Sequence, residues 1–178
     1  MRRLEVADLS LATLDALDVE ALLLLVGPER PLQGLAGLVD WRLCGAVTRT
    51  LRDGLYAGTP DEALLLPTGG RLPAARVVAV GLPAGASPVV LGAALRRARE
   101  VLERAGVASF AAALPAVEGG EAAAARLWLE AGEGMAPVRT VLLGDHRALL
   151  ADLGAARASL GAAVEIAPFN GRPGPVVR

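Results

Sequence analysis

Residues Ala21-Leu22-Leu23-Leu24-Leu25-Val26 form a run without a polar side chain, closed by Gly27-Pro28. Six residues are too few for an ordinary buried helix and far too few to cross a membrane, so the run reads as a β-strand. A strand that is apolar at every position can offer neither face to water and needs a covering layer on both sides. That requirement points to a sheet held between helices.

The rest of the chain supplies the helices. Leu35, Val39, Leu43, Val47 and Leu51 recur at helical spacing, which predicts one helix over 35–52 with Gly54 as its stop. Ser87 and Pro88 suit the N-cap and first turn of a second helix, with Leu91, Leu95, Ala98 and Leu102 on its apolar face. Arg96, Arg99, Glu100, Glu103 and Arg104 fall on the opposite face. An alanine-rich helix over 121–131 closes at Gly132 and Gly134, and Asp145 caps a last helix carrying Leu149, Leu153, Ala156 and Leu160. Further strands are expected at 4–9, 62–66, 76–80, 109–114, 138–143 and 164–167, the second and third of these as a hairpin around Pro67-Thr68-Gly69-Gly70. Strands alternating with helices in the second half imply right-handed crossovers and a largely parallel sheet. The reading is one layered α/β domain over 1–167, followed by a loose Gly- and Pro-rich tail over 168–178.

Composition narrows the chemistry. All 18 basic residues are arginine, so no lysine Schiff base and no P-loop lysine exist here. His146 is the single histidine; it cannot make a two-histidine metal site and reads as an exposed first-turn residue. Cys44, the single cysteine, sits beside the apolar stripe of the first long helix and is expected in the core. Asp40, Asp53, Asp61 and Glu62 are scattered and read as solvated charge. A net charge of −1 removes the broad attraction that drives nucleic-acid binding, and 3% aromatic residues leave few rings for base stacking. Met1-Arg2-Arg3-Leu4-Glu5 opens no apolar leader, so a cytoplasmic protein without a membrane segment is expected.

Two loops have the form of anion sites. Gly81-Leu82-Pro83-Ala84-Gly85-Ala86-Ser87 joins a strand to a helix N-terminus, where free N–H groups and the helix dipole favour negative charge. An ordinary strand-to-helix turn is the competing reading, since Pro83 and Pro88 each lack a donor. The loop from Gly27 to Gly37 is similarly permissive; its Glu29 would repel a phosphate and Arg30 would offset that.

The segments Gly37-Leu38-Val39-Asp40, Leu51-Arg52-Asp53-Gly54, Gly58-Thr59-Pro60-Asp61-Glu62-Ala63-Leu64-Leu65-Leu66 and Arg76-Val77-Val78-Ala79-Val80-Gly81-Leu82 together resemble the N-terminal domain of the leucine aminopeptidase family. The resemblance spans most of residues 4–167. It implies a three-layer, macro-domain-like mixed sheet flanked by helices. It implies no peptidase activity, because the family's metal-binding catalytic domain, its lysine and its Asn-Thr-Asp-Ala-Glu-Gly-Arg signature have no counterpart here. The opening Val6-Ala7-Asp8-Leu9-Ser10 is also similar to ADP-ribose-binding macro domains, in which an aspartate after the first strand holds adenine. Asp8 matches that aspartate, whereas Leu24 and Gly27 stand where the ribose-contacting asparagines would be.

The leading functional expectation is a non-catalytic module, without cofactor or metal, acting through oligomerisation or regulation of a protein partner. The alternative is a nucleotide or ADP-ribose module using Asp8, Gly81, Gly85, Ala86 and Ser87. A DNA-binding module built on Arg96, Arg97, Arg99 and Arg104 comes last, because Glu100 and Glu103 interrupt that stripe.

Overall fold

A computed structural model describes residues 2–83, 87–134 and 138–171. The chain runs β1 (Arg2–Asp8), α1 (Leu11–Ala16), β2 (Ala21–Val26), α2 (Gly34–Arg42), α3 (Ala46–Arg52), β3 (Ala63–Pro67), β4 (Arg76–Gly81), α4 (Pro88–Arg104), β5 (Ser109–Ala113), α5 (Gly120–Ala131), β6 (Arg139–Gly144), α6 (His146–Leu160) and β7 (Val164–Pro168). The seven strands form one sheet in the order β3-β4-β2-β5-β6-β1-β7. Among the described residues only β3 runs antiparallel, pairing with β4 as the expected hairpin.

The apolar run of β2 fixes the layering. Alternate side chains point to opposite faces of a strand. Ala21 and Leu23 therefore enter one core, with Val78, Val80, Phe110, Ala112 and Leu142. Leu22, Leu24 and Val26 enter the other, with Val77, Ala79, Ala111, Val141 and Leu143. Helices α4, α5 and α6 close the first core through Leu91, Leu95, Trp128, Leu149 and Leu153. Helices α1, α2 and α3 close the second through Leu14, Leu35, Val39 and Val47. The result is the three-layer mixed α/β architecture expected from the sequence. Among the described residues no helix is long and apolar enough to cross a membrane.

Several local readings change. The helix expected over 35–52 is two helices, broken where Cys44 and Gly45 take φ of 54° and 77°. Helical spacing continues through the break because the two segments bury the same kind of stripe on the same core, and periodicity alone cannot see a left-handed pair. Cys44 consequently points outward and is exposed, not buried in the core. Asp40 is buried and not solvated: its Oδ1 accepts from the N–H groups of Val47 and Thr48 at 2.8 and 3.1 Å, capping α3 from the preceding helix. The six-residue α1, absent from the expectations, starts at Ser10, whose hydroxyl accepts from Thr13 N–H. At the other end β7 extends to Pro168, and the Phe169 N–H donates to the Val6 carbonyl at 2.8 Å. Residues 172–178 of the expected tail lie outside the described residues.

Asp40→Ala should lower stability by about 1–3 kcal/mol, since it strips a buried cap from two N–H groups. Chemical denaturation of this variant beside Asp40→Asn, which keeps an acceptor oxygen, measures the loss. A wild-type midpoint for Asp40→Ala would mean that the cap contributes nothing.

Candidate functional site

The six parallel strands all end on one edge of the sheet. Strand β2 has β4 on one side and β5 on the other, and the chain passes from the first flank to the second. In open α/β sheets such a reversal leaves a crevice beyond the strands' carboxyl ends, between loops that diverge. Here those loops are residues 27–33 after β2 and 114–119 after β5.

Asp8 ends β1 on this edge, beside Gly144 of β6. Its Oδ1 accepts from the His146 backbone N–H at 3.1 Å and lies 2.8 Å from His146 Nδ1. Asp145 caps α6 by accepting from Arg147 and Ala148, which holds His146 at the first helical position facing Asp8. The carboxyl side chain is 61% exposed, and its second oxygen has no protein partner among the described residues. The His146 side chain, followed by its backbone N–H, holds the Asp8 carboxyl below its ordinary value of 3.8. The edge thus presents one open carboxylate oxygen beside an imidazole, an arrangement suited to an amino group.

The other residues that the sequence singled out are arranged differently. Gly81 ends β4, four strands along from Asp8 and so about 19 Å away at the usual interstrand spacing. A Cβ there would collide with the carbonyls of Gly58 and Thr59, so this glycine admits a crossing loop. The N–H groups of Gly81 and Leu82 already donate to Glu62 and Val26. Ser87 caps α4, its hydroxyl accepting from Val90 N–H at 3.5 Å. Gly85 and Ala86 lie outside the described residues. In the loop after β2, Arg30 Nη1 donates to the carbonyls of Gly27 and Glu29 at 2.8 and 2.7 Å. The Glu29 carboxylate folds over Gly27 into space a side chain there would need.

Two features of this edge are not visible in the sequence reading. His146 is a partner of Asp8 and not a bystander; the two are 138 residues apart, and no local pattern joins them. Gly119 and Gly120, with φ of 95° and 76°, begin α5 without a side-chain cap, which leaves N–H groups of a 12-residue helix open toward the crevice edge. The paired glycines between a strand and a helix were the available signal. Glu118 and Glu121 flank that turn and weaken it as a phosphate seat. Among the described residues no group of three His, Cys, Asp or Glu side chains is placed to hold a metal ion.

No family profile matches the sequence, and no curated protein matches it. Solved structures do. The macrodomain of Mycobacterium tuberculosis DarG superposes with a TM-score of 0.62 at 17% identity, over 81% of this chain and 99% of that one. A Trypanosoma brucei macrodomain in complex with ADP gives 0.65 at 16% identity, over 87% and 68%. The fold is macro-domain-like. A mutant of tomato leucine aminopeptidase also matches, at 0.58 and 15% identity, over 88% of this chain but only 36% of the enzyme. The chain therefore spans about a third of the aminopeptidase, and the likeness in each case is one of fold.

His146→Ala should let the Asp8 carboxyl rise toward 3.8, followed by carboxyl-carbon NMR titration. Because folding lowers the Asp8 value, the contact favours the folded state above pH 3.8 and loses that effect as pH falls through the folded value. An Asp8 titration unchanged in the variant would show that the bond does not form in solution.

Proposed function

We propose that this macro-domain-like protein binds an adenine nucleotide or ADP-ribose-type ligand across the carboxyl edge of its sheet, without catalysing a reaction. The observation carrying this reading is Asp8: an exposed carboxylate at the end of β1, held from one side by His146 and open on the other. An acceptor so oriented suits the exocyclic amino group of a purine. Half-buried Phe169 follows β7 on the same edge and packs against the core of the α1–α3 face. The run of loop ends from β1 to β2 suits an extended ligand with a base at one end and phosphates at the other. The neighbour solved with ADP supports the same class of ligand. This ordering reverses that reached from sequence, where assembly came first. Binding at such an edge must also contend with Glu29 on Gly27 and with Leu24, which is buried in the core and offers no polar group.

The assembly reading retains one observation of its own. Pro88, Val89, Gly92, Ala123 and Leu127 line a groove of about 480 Å³ between α4 and α5, bordered by Arg96, Arg126 and Glu130, and Val89 is 80% exposed. Light scattering addresses it: a concentration-independent monomer argues against self-association, and a dimer broken by Val89→Glu supports it.

For the nucleotide reading, ADP-ribose at a hundred times its Kd should stabilise the wild type by about 2.7 kcal/mol, read as a rise in Tm. Asp8→Ala should abolish the rise, and His146→Ala should reduce it by loosening the carboxylate. The reading fails if neither ADP-ribose nor ADP moves the melting point, or if Asp8→Ala responds as the wild type does.

A further inference from the structure

The sheet's opposite edge holds two arginines that no Asp or Glu side chain pairs. Arg2 opens β1, six residues and about 20 Å from Asp8 along the strand. Arg99 comes from α4, and both guanidinium groups converge on Gly132, the C-cap of α5. A Cβ on Gly132 would collide with Arg2 Nη1 and lie 2.7 Å from Arg99 Nη1. The backbone there has φ of −92° and ψ of −2°, open to any residue. Glycine at 132 therefore supplies room for the two cations and not a special turn.

Their charge is poorly compensated. All 19 Asp and Glu side chains lie among the described residues, and no ion pair within 4 Å includes Arg2 or Arg99. The contrast with the same edge one strand away is direct: Arg139 holds Glu5 at 2.8 Å and Asp18 at 2.9 Å. Arg99 makes one long bond, to the Trp128 carbonyl at 3.3 Å, and stacks 4.7 Å from the Trp128 ring centroid. Its Nε is enclosed without a partner among the described residues. Burial first, and then the like charge of Arg2, push the Arg99 guanidinium down to about 10. The carbonyl end of α5 attracts cations, but a helix terminus carries only about half a unit charge against two whole ones. Two guanidinium groups whose Nη1 atoms both crowd one glycine put several cationic N–H donors within reach of one small oxyanion.

We propose that Arg2 and Arg99, meeting over Gly132, form a binding site for a small tetrahedral oxyanion such as phosphate. The anion accepts from the guanidinium N–H groups that meet at Gly132, cancels the repulsion between the two cations and ties β1, α4 and α5 together. The site is independent of the Asp8 edge, and either can fail without the other.

The test uses inorganic phosphate against chloride at matched ionic strength and pH, on wild type, Arg2→Gln and Gly132→Ala. Calorimetric titration of the wild type should give one phosphate site, and each variant should bind about tenfold more weakly or worse. In chloride Arg2→Gln should melt at or above the wild-type temperature, because it removes a like charge; in saturating phosphate the order should reverse. Circular dichroism confirms that each variant is folded, and Asp8→Ala should bind phosphate as the wild type does. The proposal is overturned if phosphate does no more than chloride for the wild type, or if the folded variants bind it equally well.

Discussion

Strand β2 carries no side chain that water would solvate, and its six residues lie mid-sheet between β4 and β5. Burying it demands helices on both faces, and burying those helices demands apolar partners on every neighbouring strand. The alternation of Leu22, Leu24 and Val26 against Ala21 and Leu23 divides the whole interior into two cores. Parallel pairing follows, because the helices that cover each face are also the connections that return the chain to the same starting edge. The geometry of both edges descends from that one constraint.

The six parallel strands share a direction, so their carboxyl ends and the first turns of the helices that directly follow them are sorted to one side. Asp8 and His146 meet for this reason: β1 and β6 are neighbours in register, Asp8 opposite Gly144, and α6 begins two residues later. A carboxylate at the end of one strand then reaches the first N–H of the helix after the next strand. The purine-binding reading depends on this sorting, and so does the placing of Phe169 at the end of β7.

Charge is handled differently on the other edge. Glu5 is buried, and Arg139 and Arg3 surround it, so the pairing there is complete. Arg2 and Arg99 have only a ring face and a helix end between them. A partly buried cation with an enclosed, unpaired Nε is an exception to the rule that buried polar groups are satisfied. In the proposed oxyanion site the anion balances the charge of this pair.

The sequence by itself determined the layering, the hairpin, and most element positions, because burial on two faces and helical periodicity are local properties of side chains. Ser87, Asp145 and Gly161 marked helix ends for the same reason: a cap acts within one turn of the residue that makes it. The break at Cys44 and Gly45 was hidden, since two short helices on one core repeat the stripe of a single long one. The aspartate after the first strand was visible as Asp8, but not its partner. Only the tertiary structure brought His146 to Asp8 across 138 residues, and only it set Arg2 beside Arg99 over Gly132. Such contacts depend on which strands become neighbours, and that order is decided by packing the whole sheet, not by any stretch of chain.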